Sequence, residues 1–435
     1  MDRNRVACVA LLWHALLLGS ACQTSPTPQP EQSTPTAASP APRRGEEAKS
    51  YAGLVAELDR GIANARAALG TAHPTNWLVR ERLAAQLLAR AQLTGRVEDY
   101  LEVQTVLDEA FAMAPRGSGP VLLAARFNVS IHRLDEAELY LWTIAGHAVV
   151  TRETKVGAHL IAAKIAFARG DYATARAGLE QLAAASPDVA QTELALYHAA
   201  TGATAQAESL YRQALAEAKP TDARGRAWIH LQLAVLAMEH GRYEQALATL
   251  EEANAALPGW WLIEEHMAEV LTLLGRDQEA VSVYEKVVRD TELPQYFDAL
   301  GAVYERLDRH DEARALVARA AAAWDLQLAV LPESAMGHGL EHFLEHGTPE
   351  QALALAEQNY AVRPGGEAQV GLASAYLKAG QPAAAVELLE RTLKTPYRSA
   401  ALHDAARRAY SAVGQADAAE AQRAKCLALN PRWAD

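Results

Sequence analysis

The sequence predicts an all-α fold, an array of about nine or ten stacked helix–turn–helix units that begins near residue 76. Three observations predict it. A six-residue turn phrase recurs nine times, as 132-HRLDEA, 170-GDYATA, 202-GATAQA, 241-GRYEQA, 275-GRDQEA, 308-DRHDEA, 347-GTPEQA, 380-GQPAAA and 414-GQADAA. Each phrase closes on an alanine, and successive alanines lie 38, 32, 39, 34, 33, 39, 33 and 34 residues apart. A near-constant period of that size is the mark of one supersecondary unit repeated along the chain. Finally, no strand-period segment is long enough to build a sheet, no Gly-rich phosphate loop follows a strand, and no Gly-x-Ser-x-Gly occurs.

Taken in order, residues 1–21 read as a signal peptide. Arg3 and Arg5 precede the apolar run 6-VACVALLWHALLL-18, which is too short to cross a bilayer but suits a signal core. Ser20-Ala21-Cys22 then resembles a bacterial lipobox, which implies that Cys22 is acylated and anchors the mature chain. Gly19 stands where that pattern carries a large aliphatic residue, and Gly-x-Ala also suits ordinary signal peptidase, which would release a soluble periplasmic or secreted product. Gln23 is not the Asp that favours inner-membrane retention, so in a cell with two membranes the expected site is the periplasmic face of the outer one. Residues 22–48 are rich in Pro, Thr and Ser, which bury nothing and make an extended tether. With Cys8 removed and Cys22 lipidated, Cys426 is left alone, so packing and not a disulfide must hold the fold. Cys426 itself reads as a small core residue.

Residues 49–75 predict a capping helix over Tyr51–Gly70, and 76–435 the array. Trp77–Gly95 and Tyr100–Pro115 form a first pair with a lengthened turn. Short insertions fall at 146–155 and 218–226, and the second helix of the unit at 294 extends to Leu331. Pro349 and Pro382 sit at the starts of second helices, where a missing N–H is harmless. The unit 294–327 carries Phe297-x2-Leu300-Gly301-x2-Tyr304, then Ala313, Val317 and Ala320. Leu233-Ala234 with Ala246-x3-Leu250-x2-Ala253-x4-Pro258, and Leu372-Ala373-x2-Tyr376 with Ala385 and Leu389, follow the same order. This pattern resembles the tetratricopeptide repeat, and the resemblance covers about four-fifths of the chain. It implies a right-handed α–α superhelix (a TPR solenoid) whose first helices line a concave face where ligands usually bind.

With a formal charge of −12 the chain lacks the basic footprint of a nucleic-acid binder. By the register of the resembled family, Trp228, Met238, Glu239, Glu265, Glu269, Asp298, Glu305, Glu341 and Glu345 point into the groove. An acidic groove with a few apolar anchors favours a basic or amphipathic peptide or protein partner. The lysine and asparagine clamp by which some relatives hold chaperone C-termini is not reproduced around Lys164. No cofactor is expected.

One stretch competes with this reading. In 338-HGLEHFLEHG-347, His-x-x-Glu-His occurs twice in overlap, and the second copy (His342, Glu345, His346) resembles the metal motif of pitrilysin-like zinc peptidases. Those enzymes set the motif in a large α/β domain with a further zinc-binding Glu downstream. Here the stretch runs into a turn phrase at Gly347, which places it on the first helix of a repeat with Leu340 and Phe343 at packing positions. The candidate downstream acid, Glu420, also falls on a repeat helix. A plain metal site remains open, because His338, His342 and His346 follow an i, i+4, i+8 spacing. His159, His230 and His403 read as core residues. The sequence therefore describes a non-catalytic, exported and lipid-anchored interaction scaffold, with a metal-binding protein or zinc-dependent hydrolase centred on His338–His346 as the alternative.

Overall fold

A computed structural model describes residues 50–71 and 73–433. The expected signal peptide, Cys22 and the tether lie outside the described residues. Among the described residues, one leading helix, α1 (Tyr51–Thr71), is followed by ten helix pairs. The first three pairs are α2 (Trp77–Thr94) with α3 (Val97–Met113), α4 (Val121–Ser130) with α5 (Leu134–Ala145), and α6 (Arg152–Ala168) with α7 (Tyr172–Ala185). Next come α8 (Pro187–Ala200) with α9 (Thr204–Glu217), α10 (Ala223–Glu239) with α11 (Tyr243–Ala256), and α12 (Trp261–Leu273) with α13 (Asp277–Thr291). Then follow α14 (Pro294–Arg306) with α15 (His310–Val330) and α16 (Pro332–Glu345) with α17 (Pro349–Val362). The last two are α18 (Gly366–Lys378) with α19 (Pro382–Thr392) and α20 (Ala400–Ala412) with α21 (Ala416–Leu429).

The turn phrases explain the pairing. His132, Gly170, Gly202, Gly241, Gly275, Asp308, Gly380 and Gly414, each opening a phrase, have φ between 58° and 79°. From that left-handed residue the next N–H reaches back to cap the first helix: Arg133 N to Asn128 O at 2.8 Å, Asp171 N to Ala166 O at 2.8 Å, Gln415 N to Tyr410 O at 2.9 Å. This is the Schellman closure, which satisfies the carbonyls a helix end leaves open. Gly347 is the exception, and there a capping box of Thr348 and Gln351 starts α17 instead. The alanines closing the phrases sit where the two helices cross, and Ala137, Ala175, Ala207, Ala246, Ala280, Ala352 and Ala385 are wholly buried. A larger side chain there would push the pair apart. Cys426 is buried on α21, as its position suggested.

Two local expectations change. The α2–α3 turn is not lengthened: Gly95, at φ 74°, caps α2 and α3 already starts at Val97. His159 is exposed, because α6 buries Gly157, Ile161 and Ile165 and His159 falls between those positions. His230 and His403 are buried as expected.

The array also packs on itself, turn upon turn. Trp261 Nε1 donates to Leu93 O at 3.0 Å across 168 residues. Arg133 meets Glu333 at 3.3 Å, Gly366 N donates to Tyr172 Oη at 2.9 Å, and Arg398 N donates to Ala200 O at 2.9 Å. At the next step Arg432 pairs with Glu244 at 2.8 Å and stacks over Tyr243 at 4.5 Å. Each contact joins a turn phrase, or the residues just before it, to the chain five or six units further on. The core follows the same rule: one apolar cluster joins Ala163, Tyr172 and Tyr197 to Leu340, Val370, Tyr397 and Leu402. A second brings Leu93 against Trp261 and Tyr296. Superhelical turns are thus in direct contact along this seam.

Candidate functional site

The first helices of the middle pairs carry the expected groove residues, and the contact between turns decides their surroundings. Trp228 and Met238 are packed into the core and are not available as anchors. Glu265 and Glu269 on α12 are buried. Glu239 on α10, Asp298 on α14 and Glu341 on α16 are half-buried, as is Glu367 on α18. Only Glu305 and Glu345 of the set are exposed, and Glu305 pairs with His310 Nδ1 at 2.7 Å. The acids thus line an interior and not an open trough.

Burial first, and neighbouring acids second in most cases, shift their titration. Burial, reinforced by Glu367, pushes Glu239 up to about 8. Burial, with Asp298 and Glu367 nearby, pushes Glu341 up to about 8. Burial raises Glu367 to about 7 even though Arg363 opposes it. Glu269 is raised well above the ordinary glutamate range, by burial first, and its Oε1 has no hydrogen-bond partner. Carboxyls in this state hold protons near neutrality, so the interior is far less charged than a count of its acids suggests.

Beside the acids lies a cleft of about 50 Å³ at the seam between turns, lined by His132, Lys164, Phe167, Tyr172, Arg363 and Tyr397 among others. Lys164 is held by Glu193 at 2.8 Å. Arg363 donates from Nε to Asn359 Oδ1 at 2.7 Å, and burial lowers its pKa to about 9.

The histidine stripe divides. His342 is buried, and its Nδ1 lies 2.9 Å from Asp298 Oδ1. Asp298 Oδ2 accepts from Trp324 Nε1 at 3.1 Å. His346, the residue capping α16, is exposed, with its ring 5.2 Å from that of His342. One donor atom each from Asp298, His342 and His346 lie within 4.8 Å of one another. His338 does not join them. Eight helical residues advance about 12 Å and turn the side chain roughly 80° off the stripe. His338 instead faces Arg363 and His132, and burial, followed by the Arg363 charge, lowers its pKa to about 4.

Sequence reasoning named Asp298 as a groove acid without linking it to the histidines 44 residues on. It missed the seam residues Tyr172, Arg363 and Gly366, for which the doublet Gly365-Gly366 was the available signal. A Cβ on Gly366 would lie 2.2 Å from the Tyr397 ring, and one on Gly365 2.8 Å from Ala168 O.

The class this architecture defines is the helical repeat solenoid. Two family models describing tetratricopeptide repeats match the chain, at residues 188–307 and 367–396. The chain carries tetratricopeptide repeats at those residues and folds as an all-helical, tetratricopeptide-like solenoid of stacked helix pairs. A stretch of 126 residues is 30% identical to the human protein O-mannosyl-transferase TMTC1, covering 29% of this chain and 14% of that protein. Among solved structures, a tetratricopeptide repeat protein from Parabacteroides merdae aligns at 17% identity over 55% of this chain and 91% of its own, with a TM-score of 0.35. The human IFIT1 dimer with PPP-AAAA aligns at 14% identity over 86% and 94%, with a TM-score of 0.40.

Proposed function

We propose that this repeat protein is a non-catalytic interaction scaffold, exported and lipid-anchored through Cys22, that docks a basic or amphipathic protein segment on the outer surface of α5. The observation that carries the docking site is apolar exposure: Leu139 is 67% and Trp142 77% exposed, one helical turn apart. Val149, in the loop after α5, is 89% exposed. Large apolar side chains left in water on one helix face are the features from which interface hot spots are built, Trp above all. The exposed Glu136 borders them, and with a net charge of −12 this surface suits a cationic partner better than an acidic one. Contact between superhelical turns encloses most of the groove acids, which favours the outer face over the concave one.

Export is supported by Arg3, Arg5, the apolar run 6–18 and Ser20-Ala21-Cys22. In a two-membrane cell the lipid places the scaffold at the periplasmic face of the outer membrane. If Gly19 directs ordinary signal peptidase, the product is instead soluble in the periplasm or secreted.

The test is capture of the full-length chain from detergent-solubilised membranes of its own cells, wild type beside Trp142→Ala/Leu139→Ser. The exposed variant keeps its fold, and a partner retained by wild type and lost by the variant is expected. Equal capture by both removes α5 as the docking face. In the same cells Cys22→Ala is expected to abolish labelling by a palmitate analogue and to move the chain to the soluble fraction. Unchanged membrane association would remove the lipid anchor.

A further inference from the structure

We propose that Asp298, His342 and His346 bind a divalent transition-metal ion of the zinc type, and that the ion braces the seventh helix pair against the eighth. The three donors come from two elements: Asp298 from α14, His342 from α16 and His346 from the cap of α16. Two imidazoles four residues apart on a helix share one face, the usual way in which a helix offers a pair of nitrogen ligands. The carboxylate is already in place, with its Oδ1 2.9 Å from His342 Nδ1.

Asp298 is also oriented from behind. Its second oxygen accepts from Trp324 Nε1 at 3.1 Å, and Trp324 is 1% exposed, so the donor cannot swing away. Outer hydrogen bonds of this kind fix a ligating carboxylate and leave one oxygen for the metal.

The spacing requires a small closure. Around a tetrahedral ion with bonds of about 2.1 Å the donors stand about 3.4 Å apart: Asp298 Oδ1 and His342 Nδ1, now 2.9 Å apart across a proton that the ion would displace, open slightly, and His346 closes on them from within 4.8 Å. His346 can supply the movement, because it is exposed and stands at the end of α16. His342, buried and bonded to Asp298, supplies the fixed part. Two imidazoles and one carboxylate suit zinc, cobalt or nickel and suit magnesium or calcium poorly, since those prefer oxygen ligands. The exposed side of His346 leaves the fourth position to water.

The test uses the full chain freed of metal with a chelator. It is titrated with Zn²⁺ and with Mg²⁺ by calorimetry, and with Co²⁺ by visible absorption, because four-coordinate cobalt absorbs far more strongly than six-coordinate cobalt. Expected are one Zn²⁺ per chain, no saturable Mg²⁺ binding, and an intense cobalt spectrum. His346→Ala and Asp298→Asn should each weaken Zn²⁺ binding by about tenfold or more, in line with the loss of one ligand, while His338→Ala leaves it unchanged. His346→Ala alters an exposed residue, so circular dichroism identical to wild type shows that the loss is not unfolding. The proposal is overturned if zinc does not bind. It is equally overturned if zinc binds with the same affinity to His346→Ala, or if His338→Ala weakens binding as much as His346→Ala does.

Discussion

Replacing Glu239 by glutamine is expected to stabilise the protein at pH 8 and to change little at pH 5.5. Glu239 closes α10, and burial with Glu367 opposite holds its pKa near 8, against 4.5 for an ordinary glutamate. Between those values the folded chain keeps a proton that the unfolded chain has released. The stability tied to this group is therefore complete below about pH 4.5 and is lost as pH rises through about 8. At about 1.4 kcal/mol per pH unit, the gap sets an upper bound of roughly 5 kcal/mol. Glu239 retains some contact with solvent, which screens the charge and brings the expected gain at pH 8 to about 2 kcal/mol. Glutamine keeps the shape and cannot ionise. Glu367, near 7, and Glu341, near 8, act with the same sign, so the wild type should itself weaken between pH 6.5 and 8.5. His338, lowered to about 4, acts in the opposite sense, but only below about pH 6.5. Urea denaturation followed by circular dichroism at pH 5.5, 6.5, 7.5 and 8.5, wild type beside variant, reads the effect. A wild type as stable at pH 8.5 as at 6.5, or a variant weakened equally at every pH, would refute the picture of an enclosed acid interior.

Two further substitutions probe the contacts between helices and between turns. Asp99→Ala removes the buried carboxylate that accepts from Arg90 Nε at 2.9 Å and Nη2 at 2.6 Å. Arg90 is then left with the half-exposed Asp59, and a loss of about 3–5 kcal/mol is expected in urea denaturation, since one partner of a buried pair is stranded; a loss under about 1 kcal/mol would show that Asp59 and water suffice. Tyr172→Phe removes the hydroxyl that accepts from Gly366 N–H across the seam. It should cost about 1–3 kcal/mol and speed hydrogen exchange at the Gly366 amide, whereas unchanged exchange there would mean that the turns do not close at that point.

The sequence carries the repeat unit clearly because each unit solves its own local problem. Gly170 or Gly414 is needed for a left-handed residue at the helix end, and Ala175 or Ala385 for a close crossing, whatever lies elsewhere in the chain. Those signals recur at a fixed spacing and can be read without knowing the superhelix. Contact between turns is of another kind. It depends on a small rotation from each unit to the next, summed over five or six units, and the turn phrases do not encode that angle. Its traces are single residues: Gly365 and Gly366, which leave room for Ala168 and Tyr397, and Trp261, whose indole finds Leu93 O. Helix register reads Glu239, Glu269 and Glu341 as facing a groove, yet whether such a face is an open groove or a closed interior depends on those few seam residues. The same summed rotation accounts for the histidine stripe. Spacing alone makes His338, His342 and His346 equivalent, but along α16 the first meets Arg363 at the seam while the last two meet Asp298 of the neighbouring pair. A repeat array thus states its unit in local sequence and its sites in the packing between units, so the seam residues and Asp298 are the places where substitution tells most about this protein.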